Sequence, residues 1–218
     1  MNRRRILMSL GVAFILATTT TCRSTPIHAQ HPIPAEVESR ILSALHTRPD
    51  QPIQIRIYAD SELFPGLTFM QGQRVPPFGD GMEDGRPGKA TVIASQNDTV
   101  LVTRITDLPV VWKLLHNHPS QTTRTDLDRI LKLLEFTGQI TPEQILQGPQ
   151  DAARWKSLYR DTTKISDVRP PSEMHLPDRV IVSVFADGFL GIVRYDFVVN
   201  DDELTINDEL VAELIVHM

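Results

Sequence analysis

Two eight-residue stretches of strand type, one towards each end of the chain, constrain the fold more than any other feature of the sequence. In residues 53–60, Ile53, Ile55 and Ile57 alternate with Gln54, Arg56 and Tyr58, the period-two pattern of a half-buried strand. In residues 180–187 the apolar run is nearly unbroken, as in a strand covered on both faces. The two stretches align residue by residue, from Ile53 against Val180 to Asp60 against Asp187, and each precedes a turn. Duplication could produce such an echo, but two core strands of one sheet explain it more economically.

The residues between and around them fill out the pattern. Residues 34–47 place Val37, Ile41, Leu42 and Leu45 on one helical face, and Pro49 ends the run. Residues 71–89 hold five Gly and three Pro in nineteen positions, so a long loop is expected there. Residues 90–94 and 99–106 read as a hairpin around Ser95-Gln96-Asn97-Asp98. The apolar run 110–115 is read as a strand from its β-branched start and its length. Thr125 then caps a helix carrying Leu127, Ile130, Leu131 and Leu134, which Gly138 closes. Two more helices are expected at 141–148 and 150–160, the latter with Ala152, Trp155, Leu158 and Tyr159 facing inward. Strands return at 180–186, 189–199 and 204–206, and the spacing of Leu210, Val211, Leu214 and Ile215 predicts a terminal helix. The expected fold is therefore α+β: one domain over residues 30–218, with a mainly antiparallel sheet from the N- and C-terminal parts and a central helical segment.

Residues 1–29 read as a separate object. Arg3, Arg4 and Arg5 precede an apolar run at 6–17, too short to span a bilayer as a helix, which is the pattern of a secretory signal. Ala29 at −1 and Ile27 at −3 favour cleavage before Gln30; lipid attachment at Cys22 is the alternative, with Thr19, Thr20 and Thr21 where small and aliphatic residues are usual. Export, periplasmic or extracellular, is the expected localisation, or a membrane-anchored lipoprotein if Cys22 is acylated. Cys22 is the only cysteine, so no internal disulfide is available and stability rests on an ordinary core. Removing the four arginines of residues 1–29 from the 22 basic residues leaves 18 against 27 acidic ones, a net charge of −9. That balance opposes nucleic acid as a partner and leaves a protein or a small molecule.

Only one stretch has a spacing that suggests chemistry. His116 and His118 are two apart, so on a strand both imidazoles share a face and can reach one metal ion; on a helix they diverge. Asp126 or Asp128 could supply a third ligand, leaving the open position that a catalytic zinc needs, and Glu62 could act as general base. His116-Asn117-His118-Pro119, followed by Thr125-Asp126-Leu127-Asp128, resembles the metal-binding core of JAMM-type zinc peptidases. The resemblance implies zinc held by His116, His118 and Asp128, with Glu62 as base. It covers about thirteen residues; Thr125 stands where that family has Ser, and the interval from Pro119 to Asp128 is shorter than the family's. The plainer reading takes Pro119 as a breaker, Thr125 as an N-cap and the two aspartates as residues favoured by a helix dipole. It explains every residue except the second histidine. On that reading the chain is a non-enzymatic binding or structural domain without a cofactor, with zinc-dependent hydrolysis as the alternative. The acidic group Asp201, Asp202, Glu203, Asp208 and Glu209 lacks the alternation of a calcium loop and reads as a solvated turn.

Overall fold

The computed structural model describes residues 33–46, 53–59, 62–74, 88–95, 98–116, 125–154, 158–160, 162–188 and 190–215. Two four-stranded antiparallel sheets account for the strands. Sheet 1 is a meander of β1 (Ile53–Tyr58), β2 (Thr68–Arg74), β3 (Lys89–Ala94) and β4 (Thr99–Val102) in that order. Sheet 2 is a second meander of β5 (Ser172–His175), β6 (Val180–Gly188), β7 (Gly191–Asn200) and β8 (Glu203–Glu213). The helices are α1 (Ala35–Leu45), α2 (Leu108–His116), α3 (Asp126–Thr137) and the short α4 (Pro149–Ala153). The α+β class and the antiparallel strands from both ends stand as expected, with helices in the middle.

The layers follow from which face of each strand is apolar. On sheet 1, Met70, Ala90 and Val92 face α1 and cluster with its Val37, Ile41 and Leu45. The alternate residues Phe69, Ile93 and Val102 point the other way, into a core shared with α2, α3 and sheet 2. Val182, Val184, Phe197 and Leu204 close that core from the sheet 2 side. Helices α2 and α3 are therefore the filling between two sheets. A third cluster joins Phe185, Ile192, Val211 and Ala212 to Leu146, Ala152, Tyr159, Ile165 and Val168.

Several expectations are corrected by this arrangement. Residues 53–60 and 180–187 do not share a sheet: β1 is an edge of sheet 1 and β6 lies inside sheet 2, one place later in its meander. Residues 110–115 are helix, not strand. In α2, Leu108, Val111, Trp112, Leu114 and Leu115 are buried while Val110 and Lys113 are exposed, which is a helical face. Lys113 alone interrupts the apolar residues because a helix between two sheets is apolar over most of its circumference. Pro109 sits in its first turn, where no donor is needed.

Residues 71–74 belong to β2 and Lys89 opens β3, so the expected loop is shorter at both ends; residues 75–87 lie outside the described residues. Gly72 is not a breaker there. A Cβ at this position would overlap Ile41 Cγ2, so glycine lets α1 sit against the strand. The predicted terminal helix is the end of β8, paired with β7. Val193 pairs with Leu210 but Ile192 with Ala212, leaving Val211 as the extra residue of a bulge. The bulge interrupts the alternation and puts adjacent Val211 and Ala212 both inside, which mimics helical spacing. In place of the two expected helices at 141–148 and 150–160 stand a single 3-10 turn at Pro142–Gln144 and the five residues of α4. Leu158 is 46 % exposed and Tyr159 bridges to Leu214, while Trp155 lies outside the described residues.

Candidate binding cleft on helix α3

Helix α3 is tied at its two ends to different sheets. At the start, Thr125 Oγ1 accepts from the Asp128 N–H at 3.2 Å, the cap the sequence predicts. The next free donor, the Leu127 N–H, reaches Glu173 Oε2 of β5 at 3.1 Å. At the far end Gly138 adopts φ 67°, its N–H donating to the Glu135 carbonyl, and the Gln139 N–H donates to that of Leu134. Further donors to the last carbonyls come from sheet 1. Gln71 Nε2 of β2 donates to Glu135 O and Phe136 O, both at 3.3 Å, and Thr91 Oγ1 of β3 donates to Thr137 O at 3.0 Å. Gln71, Thr91 and Thr137 are the buried polar residues among those described, and each has a partner.

The outward side of α3 forms one wall of a cleft of about 330 Å³. Leu63, in the turn after β1, and Leu131 and Ile145 give it apolar walls, with Pro142 and Pro171 at its margins. Asp128, Lys132, Glu135 and Gln147 supply the polar groups. The strap at 142–147 is fixed to β6: the Leu146 N–H donates to Phe185 O at 2.8 Å, and Gln144 Nε2 to Asp187 O at 3.2 Å. Lys132 Nζ donates to Glu135 Oε2 at 2.6 Å, so that cation is already paired. Among the described residues Asp128 has no ion-pair partner.

A separate polar group gathers near the start of α3. Arg129 lies 4.7 Å over the Trp112 ring and its Nη1 is 3.5 Å from Asp126 Oδ1. His175 Nε2 is 2.9 Å from Glu173 Oε1. Burial raises the Asp126 carboxyl above the usual carboxylate range, against the pull of Arg129.

Of the residues singled out in the sequence, Asp128 lines the cleft and Glu62 sits in the turn immediately before its Leu63. His116 is the exposed last residue of α2 rather than the end of a strand. His118 lies outside the described residues. Among the described residues no three His, Cys, Asp or Glu side chains are grouped to hold a metal ion. The wall formed by 142–147 and Pro171 was not visible in the sequence, where the Thr141-Pro142 start reads as a helix. No described helix is long and apolar enough to cross a membrane. Comparison with protein-family models, with curated proteins and with solved structures finds no match for this chain.

Proposed function

We propose that the chain is an exported, non-enzymatic binding domain and that the cleft on α3 is where it engages its partner. Residues 1–29 act as the secretory signal in this reading, with release before Gln30. One observation carries it: a 330 Å³ cleft whose walls are apolar and whose polar groups, apart from Asp128 and Gln147, are paired with each other. Cavities of a few hundred Å³ with apolar walls and few polar groups are the usual form of a ligand site. The α3 wall is held at both ends and the 142–147 wall is bonded to β6, so the cleft is preformed and binding would cost little ordering. The test is a titration of the exported protein with small aliphatic and aromatic fragments, followed by amide chemical shifts. Saturable shifts at Leu63, Leu131 and Ile145 are expected; shifts scattered over the surface, or none, would remove the reading.

A second reading, a zinc-dependent hydrolase with His116, His118 and Asp128 as ligands and Glu62 as base, draws on one observation. Glu62 immediately precedes Leu63, and Leu63 and Asp128 line the same cleft. The two readings differ in the metal content of the exported protein.

A further inference from the structure

We propose that the cleft receives a basic side chain, an aliphatic stem ending in a cation, carried by a partner polypeptide; this rests on the binding reading above. The charges of the cleft point to the sign of the ligand. Lys132 and Asp128 are four residues apart on α3, a spacing at which they could pair. Lys132 Nζ instead sits 2.6 Å from Glu135 Oε2, one turn the other way. The pair cancels, and the cleft keeps the single negative charge of Asp128, which has no ion-pair partner among the described residues.

The walls point to the shape. Leu63, Leu131 and Ile145 offer apolar surface leading to a carboxylate, and a basic side chain has the matching form, with methylenes that bury and a cation that stays at the polar edge. A volume of 330 Å³ suits one or two side chains and is far too small for a helix or a sheet edge. The long-range field agrees, because the net charge of −9 left after release before Gln30 draws cationic partners and repels anionic ones.

The experiment compares two probes on protein purified from the exported fraction of cells expressing the full chain. Nα-acetyl-lysine methylamide carries stem and charge; Nα-acetyl-norleucine methylamide carries the stem alone. The lysine probe is expected to shift Leu63, Asp128, Leu131 and Ile145 saturably, and the norleucine probe to bind about fivefold more weakly, the scale of a solvent-edge ion pair. Asp128→Asn is expected to bring the lysine probe down to the norleucine level. Its fold is checked by thermal melting, and the Thr125 cap survives because it uses the Asp128 backbone N–H. Equal binding of the two probes, or an unchanged affinity in Asp128→Asn, would overturn recognition of a basic side chain while leaving the cleft as a binding site. Silence of the cleft towards both probes would overturn both.

Discussion

Gln71 Nε2 donates to the carbonyl oxygen of Phe136 at 3.3 Å, joining the second strand of sheet 1 to the last turn of a helix whose first turn is held by sheet 2. Gln71 is 3 % exposed, so the carbonyl it serves has no water to fall back on. Gln71→Ala removes the donor and leaves a buried acceptor unpaired, a loss of about 1–3 kcal/mol. Urea unfolding is expected to show a lowered midpoint with an unchanged slope.

Glu173 holds the other end of α3, accepting from the Leu127 N–H at 3.1 Å. The two ties, at Leu127 and Phe136, lie nine residues apart along the helix, roughly 14 Å. Glu173→Ala is expected to cost about 1 kcal/mol, as loss of a cap does. Since the two sites share no partner, the double variant Gln71→Ala with Glu173→Ala should be additive to within about 0.5 kcal/mol. A larger coupling in the double-mutant cycle would mean that α3 shifts as a body when either tie is cut.

Gly72 is the contact point between α1 and sheet 1. Gly72→Ala would place its Cβ against Ile41 Cγ2, and overpacking of this kind costs about 1–3 kcal/mol. Ile41→Val keeps a Cγ methyl, so it should relieve little; Ile41→Ala should cost less in the Gly72→Ala background than in the unaltered protein, because the new Cβ occupies part of the space the isoleucine leaves. Melting temperatures of the single and double variants check this coupling.

Tyr159 carries a pH dependence at the alkaline end. Its hydroxyl donates to Asp187 Oδ1 at 3.1 Å, and burial, followed by the charge and hydrogen bond of Asp187, pushes its pKa up to about 12. The folded value exceeds the ordinary one of 10, so the folded state holds this proton more tightly than the unfolded chain. The stabilisation is complete below pH 10 and is lost as pH rises through about 12. Stability measured across that window should fall less steeply in Tyr159→Phe than in the unaltered protein.

What the sequence made legible follows from where each element sits. The α1 helix and β1 each bury one face, so their 3.6- and 2-residue periods survive in the sequence and both are read correctly. The Thr125 cap and the Gly138 close are local chemistry, visible without any tertiary context. Residues 110–115 fail because the helical face of α2 starts before the run, at Leu108, and six mostly apolar residues taken alone do not tell a helix from a strand. Val211 fails because a bulge breaks the alternation of β8. Gly72 is misread because the reason for glycine is a helix that arrives from thirty residues away. Of the cleft, Asp128 was visible as a candidate, but its other walls come from segments far apart in the chain, which no spacing rule connects.

The measurement that decides most directly between binding and metal chemistry is the zinc content of the exported protein, purified without chelator and repeated with His116→Ala and His118→Ala. A non-enzymatic binding domain predicts less than stoichiometric zinc, unchanged in either variant. One zinc per chain, lost in both variants and accompanied by loss of peptide hydrolysis, would contradict it and establish the hydrolase in its place.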